Sequence, residues 1–496
     1  MLRLDREKDP EVLRQAAQLL ERENQRLVAK VVELTRQLLA AQGKDATELQ
    51  QRIAALEEEL AKKNKALFAP SSEKRPRPTT GDGERSAPTG HGPRPQPTLP
   101  VVEVTHDLDP TDRVCTTCGS PLDPWPGQAE TRDEVDVVER RFVLRRHLRT
   151  KYRCRCGGCV ETAPAPASLC EGARYAVGFA IEVATAKYLD HQPLERQVRT
   201  MAREGLVVDS QTLWDQLERL ARHLGPTAEA IGAQVRSRGV VFADETRWRL
   251  MGAKGQDEGE SSRWHVWVVA CPDAVTYRIQ DSRSTEAART VLGDYAGVVV
   301  CDGYRAYSSL AKTQPGLRLA HCWAHVRRKF LDVEAFFPTE VATILALIGE
   351  LYAVEQACPS GEGGDELRRQ LRQTRSRSVL ARIQQWAVDV VTTPEGGLGK
   401  AIAYMAGLWS GLCYFVEDPR VPLDNNGAER AVRGPVVGRK NHYGSRSRRG
   451  TEVAALFYTL LESAKLCGVE PKAYLRRATE AALAGEPVVL PHAMRA

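Results

Sequence analysis

The chain has 496 residues, beyond the roughly 250 to 300 at which single hydrophobic cores stop growing, so several domains are expected. With 42% hydrophobic and 27% charged residues, no apolar run of about 18 and no signal-peptide core in MLRLDREKDPEVLRQ, it reads as a globular cytoplasmic protein without a membrane span. A net charge of +6 is a mild bias toward acidic partners, and 12 cysteines over this length exclude a disulfide scaffold and favour metal where they cluster.

Residues 1–68 read as a coiled coil. Leu13, Leu20, Leu27 and Leu34 repeat every seven residues as d positions, with Ala17, Asn24, Val31 and Leu38 at a. That is a two-stranded pattern with one polar a residue to fix register; it fits a homodimer or higher oligomer, the alternative being a helix that folds back on its own chain. Gly43 interrupts it, and Leu49, Ile53, Leu56, Leu60 and Leu67 resume it. Residues 69–100, dense in Pro, Gly, Ser and Thr, cannot bury enough apolar surface to fold and are expected to be a disordered linker.

Residues 101–170 carry Cys115-x-x-Cys118 and then Cys154, Cys156 and Cys159, separated by strand-like sequence over 133–154. Two cysteine pairs at strand ends suit a closed, structural zinc site, with Cys115, Cys118, Cys156 and Cys159 as expected ligands and Cys154 as a competitor. Residues 171–235 read as helices broken at His191-Gln192-Pro193 and around Gly205, with Ser210 as a cap for the last. They fit either a helix-turn-helix facing DNA or an ordinary helical hairpin.

From 236 to 335 the pattern changes to β-branched runs at 240–250, 263–280 and 296–310, with a helix over 284–295, which predicts an α/β layer. Residues 336–420 read as mostly helical, 421–475 as a capped helix, a basic loop and a long apolar helix, and 476–496 as a tail. Asp244 and Asp302 stand at the ends of apolar strands, where a charge must be solvated, paired or metal-bound. Glu429 is the third candidate, with Asp424 as its rival; Asn426 as a helix cap would instead make Glu429 a reciprocal capping residue.

Between Arg430 and Thr451 there is no acidic residue, while Arg430, Arg433, Arg439, Lys440, Arg446, Arg448 and Arg449 are basic, with His442 and Tyr443 between them. Cations there suit phosphates and aromatic groups suit bases, so the strip is a candidate DNA surface. Carboxylates beside such a strip suit metal-assisted phosphodiester chemistry with Mg2+ or Mn2+.

The stretches VVFADETRWRL (240–250), VVCDGYRAY (299–307), AHCWAHVRRKF (320–330) and DNNGAERAVRGPVVGRKNHY (424–443) resemble the DDE transposases of bacterial insertion-sequence family sixty-six. LFAPSSEKR (67–75), the cysteine module, AKYLDHQPLERQ (186–197) and AKLCGVEPKAYL (464–475) extend the resemblance over most of the chain, in the family's order. The resemblance implies a multidomain α+β protein: an N-terminal coiled coil, a zinc-ribbon-like module, and an RNase-H-like α/β catalytic core with a helical insertion. It implies Asp244, Asp302 and Glu429 as catalytic, metal-holding residues that nick element ends, after which the released 3′ hydroxyl attacks target DNA without a covalent enzyme–DNA intermediate. Terminal inverted repeats, target DNA and two small accessory proteins are the implied partners, and the bacterial nucleoid the implied location. Cys322 and His325 form a Cys-x-x-His pattern seen after the second aspartate in several DDE families, read here as structural support. A catalytically inactive DNA-binding derivative and a general RNase-H-like nuclease are the alternatives.

Overall fold

The computed structural model describes Lys30, Gln37, Glu103, Asp107 and residues 109–124, 141–153, 160–251, 264–359 and 362–494. Apart from Lys30 and Gln37, the expected coiled coil and linker lie outside the described residues, as do Cys154, Cys156 and Cys159. The chain divides into two compact units, residues 69–140, and residues 1–68 with 141–496.

In the smaller unit a tight turn carries Cys115 and Cys118. The Cys115 amide donates to the Ser120 carbonyl and the Gly119 amide to the Cys115 carbonyl, both at 2.8 Å. Gly119 takes φ +76°, which a side chain would disfavour. Ser120 donates to the Cys118 sulfur through its hydroxyl and its amide and, with Cys115, holds that thiol below its ordinary value.

In the larger unit β1 (Lys151–Arg153) pairs antiparallel with β2 (Val160–Thr162). These strands are much shorter than the strand-like sequence suggested: residues 141–150 belong to no strand, although the Ala163 amide donates to the Thr150 carbonyl at 3.0 Å. Three helices follow, α1 (Val177–Tyr188), α2 (Leu194–Arg203) and α3 (Ser210–Arg236). The cap of α3 is Asp209, one residue before the expected Ser210; its carboxylate accepts the Thr212 amide at 2.6 Å. Leu213, Leu217, Leu220, Leu224, Ile231 and Val235 recur mostly at three- and four-residue spacing and are buried, so this face of α3 packs into the core.

A five-stranded sheet forms the centre, from β3 (Val240–Trp248), β4 (Trp264–Cys271), β5 (Ala274–Gln280), β6 (Val298–Cys301) and β7 (Arg318–His321), in the order β5-β4-β3-β6-β7. The first three strands are antiparallel neighbours; β6 and β7 add in parallel beyond β3. Between these strands run α4 (Thr285–Leu292) and α5 (Arg305–Thr313). The expected single run over 263–280 is two strands folded about Pro272-Asp273, and β7 is an additional strand that its short, mixed sequence did not signal.

Strand β5 is an edge, and its free backbone groups are covered by a helix near the C-terminus, α13 (Arg448–Leu466). The Val275 amide donates to Ser463 Oγ at 3.0 Å and the Tyr277 amide to Thr459 Oγ1 at 3.1 Å. Two hydroxyls on an apolar helix thus stand in for a missing strand.

Helix α6 (Trp323–Leu331) precedes the stretch expected to be the insertion, which comprises α7 (Pro338–Gln356), α8 (Asp365–Leu371), a π turn over Arg372–Ser376, α9 (Arg377–Asp389), α10 (Gly397–Gly407) and α11 (Trp409–Cys413). This helical region has its own apolar cluster, which reaches the sheet at Val298, Val300 and Ala320. Arg372, 1% exposed, is fully partnered there: it donates twice to Glu355 at 2.7 Å and to the carbonyls of Phe415 and Asp418. A buried cation needs such company. The chain then forms α12 (Asn426–His442), α13 and α14 (Pro471–Ala484). Among the described residues no helix is long and apolar enough to cross a membrane.

Candidate active site

Strand geometry brings the two aspartates together. Strands β3 and β6 are parallel, with Val240 opposite Val298, Val241 opposite Val299 and Phe242 opposite Val300. Two residues further along come Asp244, within β3, and Asp302, the first residue past the end of β6. Side chains alternate with period two, so Val240, Phe242 and Asp244 share a face, and Val298, Val300 and Asp302 share the same one. Val298 and Val300 belong to the insertion-side cluster and Val240 and Phe242 pack against it, whereas Val241, Ala243, Val299 and Cys301 belong to the other core. The register therefore places both carboxylates toward the insertion.

Glu245 points the other way and has another task. It is buried, paired with the Arg283 guanidinium and hydrogen-bonded by the Tyr307 hydroxyl at 3.1 Å. Arg283 also lies over the Tyr304 ring at 3.9 Å. Asp302 accepts the Tyr304 amide at 2.9 Å, and the Gly303 between them is fitted so closely to α10 that a β-carbon there would meet Leu408 at 2.7 Å.

Helix α12 brings Glu429 in from above. The residue opening this helix is Asn425, 1% exposed. Its side-chain amide donates to the Ala243 carbonyl at 2.8 Å, next to Asp244, and its backbone amide donates to Cys322 Sγ at 3.2 Å. Gly427 lies against Phe242; a β-carbon there would meet the ring at 2.8 Å. Further along, Arg439 donates to the Arg247 carbonyl and to Thr246 Oγ1, so α12 runs beside β3 in the same direction. The Asn426 cap expected from the sequence is not formed: Asp424 accepts the Asn426 amide at 3.1 Å, and Glu429 is not its reciprocal partner.

Glu429 faces His325, whose Nε2 lies 3.9 Å from Oε1. One ligand atom each of Cys322, His325 and Glu429 lie within 4.8 Å of one another. The Trp323 amide donates to the Leu423 carbonyl at 2.8 Å, so the Cys-x-x-His segment also ties α6 to the start of α12. Burial, and then the charges of Glu245, Asp302 and Glu429, push the Asp244 carboxyl up to about 7 against the pull of the Glu245 amide.

The basic strip is sorted by burial. Arg430, Arg433 and Lys440 lie on the exposed face of α12, at spacings of three and seven, and Arg446 is exposed in the following loop. Arg448 and Arg449 are exposed but have acidic neighbours, Asp281 for the first, Glu218 and Glu452 for the second. Arg439 is half-buried and turned to the Arg247 carbonyl and the Thr246 hydroxyl. His442 corrects the sequence reading. It is buried among Tyr188, Trp248 and Tyr458, near the Tyr458 hydroxyl and the Gly444 carbonyl, and burial followed by the charge of Lys187 pushes it down to about 3. It is a neutral core residue, not a DNA contact. Asn425 and Arg283 are the residues the sequence reading passed over. Asn425 had a signal, two amides and a glycine before an amphipathic helix, but its partner is far away in the chain.

Comparison with known proteins agrees with this architecture. Residues 172–453, more than half of the chain, match the family described as "Transposase IS66 family". Residues 112–157, which include Cys115, Cys118, Cys154 and Cys156, match the "zinc-finger binding domain of transposase IS66". Two proteins of Sinorhizobium fredii are similar along most of their length: "Uncharacterized protein y4jD" is 31% identical over 77% of each chain, and "Uncharacterized protein y4qI" is 30% identical over 70% of this chain and 67% of its own. A solved structure, "Crystal structure of the Mos1 Strand Transfer Complex", is 13% identical over 32% of this chain and 60% of that one, with a TM-score of 0.12, a likeness too slight to place any residue. The chain belongs to the IS66 family of transposases.

Proposed function

We propose that this chain is an active DDE-type transposase with an RNase-H-like core, which nicks the ends of its element and joins the released 3′ hydroxyl to target DNA. One observation carries the reading: Asp244 and Asp302 share a face of two parallel neighbouring strands, and the helix of Glu429 is pinned to the first of those strands by Asn425.

The donor set fits magnesium or manganese. Asp244, Asp302 and Glu429 offer only carboxylate oxygens, the ligands such ions take together with water and phosphate. Burial does most to raise the Asp244 carboxyl, and the charges of Glu245, Asp302 and Glu429 add to it; a bound cation would offset both effects. What the metal supplies when bound is activation of the attacking oxygen and stabilisation of the leaving oxygen. The protein supplies position. Asn425, Cys322 and His325 hold the start of α12, and Glu245, already paired with Arg283, stays out of the metal set. Arg430, Arg433, Lys440 and Arg446 take DNA phosphates, with smaller shares for Arg439, Arg448 and Arg449. Zinc is structural, held by Cys115, Cys118, Cys156 and Cys159. Dimerisation through residues 1–68 and two accessory proteins complete the assembly.

The test is nicking of DNA that carries the element's terminus, with and without Mg2+, by the wild type and by Asp244→Ala, Asp302→Ala and Glu429→Ala. Magnesium-dependent 3′-end nicking by the wild type alone is expected. Full activity in any variant overturns the assignment. Binding without nicking by the wild type, with accessory proteins supplied, identifies the inactive derivative; equal digestion of unrelated nucleic acid identifies a general nuclease.

A further inference from the structure

Tyr443 closes α12 in the left-handed conformation, with φ 62°. Glycine or asparagine is usual at such a position, because a β-carbon is strained there. The turn it starts is firmly held. Gly444 takes φ +109°, and a side chain there would run into the Arg249 carbonyl. The Ser445 amide donates to the Arg249 carbonyl at 3.0 Å, the Met251 amide to the Ser445 carbonyl at 2.8 Å, and the Trp248 indole to Ser445 Oγ at 3.2 Å.

On this rigid base the Tyr443 side chain is left outside. The residue is 64% exposed, and its ring has no hydrogen bond or ring contact among the described residues. Its ring is therefore largely outside the core, and its backbone takes a conformation that costs any residue with a β-carbon more than glycine. Exposed cations without ion pairs among the described residues flank it in sequence, Lys440 before and Arg446 after. Strain kept at an exposed aromatic group between cations marks a site of use.

We propose that Tyr443 is a stacking platform for an unpaired nucleobase of bound DNA, with Lys440 and Arg446 on the adjacent phosphates. The inference rests on the transposase reading and adds to it the state and place of the base. Tyr443 lies 14 residues after Glu429 on one helix. At about 1.5 Å per residue that is roughly 21 Å, or about six nucleotides at about 3.4 Å each along a strand that follows the exposed basic face. The platform thus engages a base about six nucleotides from the cleaved phosphate.

The experiment compares full-length wild type with Tyr443→Gly, Tyr443→Ala and Tyr443→Phe. The probe is element-end DNA with unpaired 2-aminopurine placed in turn at positions about four to eight nucleotides from the cleaved phosphate. The wild type and Tyr443→Phe are expected to quench the fluorescence at one position. Tyr443→Gly and Tyr443→Ala should lose the quench and bind about tenfold more weakly, the scale of one base on one aromatic ring. Tyr443→Gly should also melt no lower than wild type, because it relieves the strain. Wild-type quenching and affinity in Tyr443→Gly overturn the proposal, and so does a lowered melting temperature, which makes the ring a structural element. In both cases wild-type nicking leaves the transposase reading intact; a wild type that neither binds nor nicks removes both.

Discussion

The side-chain amide of Asn425 donates to the main-chain carbonyl of Ala243 at 2.8 Å, 182 residues away in the chain. That hydrogen bond joins the helix carrying Glu429 to the strand carrying Asp244. It is buried, and it spans the boundary between a sheet fixed by its own ladder and a helix that the insertion separates from it in sequence.

Asn425→Ala should therefore act on the site more than on the fold. Leaving the Ala243 carbonyl unpaired costs about 1–3 kcal/mol of stability. Nicking should fall about a hundredfold, since catalytic groups must be held within a fraction of an ångström. A melting curve together with nicking at saturating DNA, over a range of Mg2+, checks this. A fall in rate no larger than the loss of folded protein would make Asn425 a purely structural residue.

Gly427→Ala is a second probe of the same junction. In an exposed helix alanine is favoured over glycine by about 1 kcal/mol. Here its β-carbon would meet the rigid Phe242 ring at 2.8 Å, so the sign is expected to reverse. The variant should be less stable and poorly active, and Phe242→Leu, which clears space, should restore part of the activity.

The Asp244 carboxyl, raised to about 7, makes the metal-free protein pH-dependent. A group raised in the folded state binds a proton there more readily than in the unfolded chain, so its charge opposes folding above its folded value. Stability should rise as pH falls from about 8 through 7 toward 5. Asp244→Asn should melt higher than wild type at pH 8 in chelator, by about 1–3 kcal/mol. Saturating Mg2+ should shrink that difference by stabilising the wild type. A lower melting point for Asp244→Asn in chelator would count against the crowded-carboxylate picture.

His442 and Lys440 should separate stability from binding. His442→Ala removes a buried ring from the Tyr188, Trp248 and Tyr458 cluster and should cost about 2–4 kcal/mol of stability. Lys440→Ala and Arg446→Ala should leave stability within about 0.5 kcal/mol and lower DNA affinity, each reducing the slope of log affinity against log salt by about 1. Equal salt slopes for wild type and both variants would remove the phosphate contacts from the proposal.

Zinc content distinguishes the cysteines. One zinc per chain is expected, lost in Cys115→Ser, Cys118→Ser, Cys156→Ser and Cys159→Ser and kept in Cys154→Ser. The zinc-finger match over 112–157 includes Cys154 and stops before Cys159, so the opposite result for that pair is the informative alternative.

The candidate carboxylates and the basic strip were legible in the sequence as local patterns. The apolar, β-branched runs before Asp244 and Asp302 are local patterns, because strand propensity acts on neighbours in the chain; Asp244, expected at its strand's end, lies instead in the middle of β3, which continues to Trp248. The absence of acidic residues from Arg430 to Thr451 is equally local. The tertiary structure decided the rest. Whether Asp244 or Glu245 faces the insertion depends on the register of β3 with β6, since one residue of slip exchanges the two faces. His442 and Lys440 look alike in a basic strip, but the angular position of each on α12 puts one in an aromatic core and the other in solvent. Asn425 reads as a turn residue until Ala243 comes within hydrogen-bonding reach. Sequence fixes what a residue can do; which partner it meets is set by contacts whose two ends are far apart in the chain.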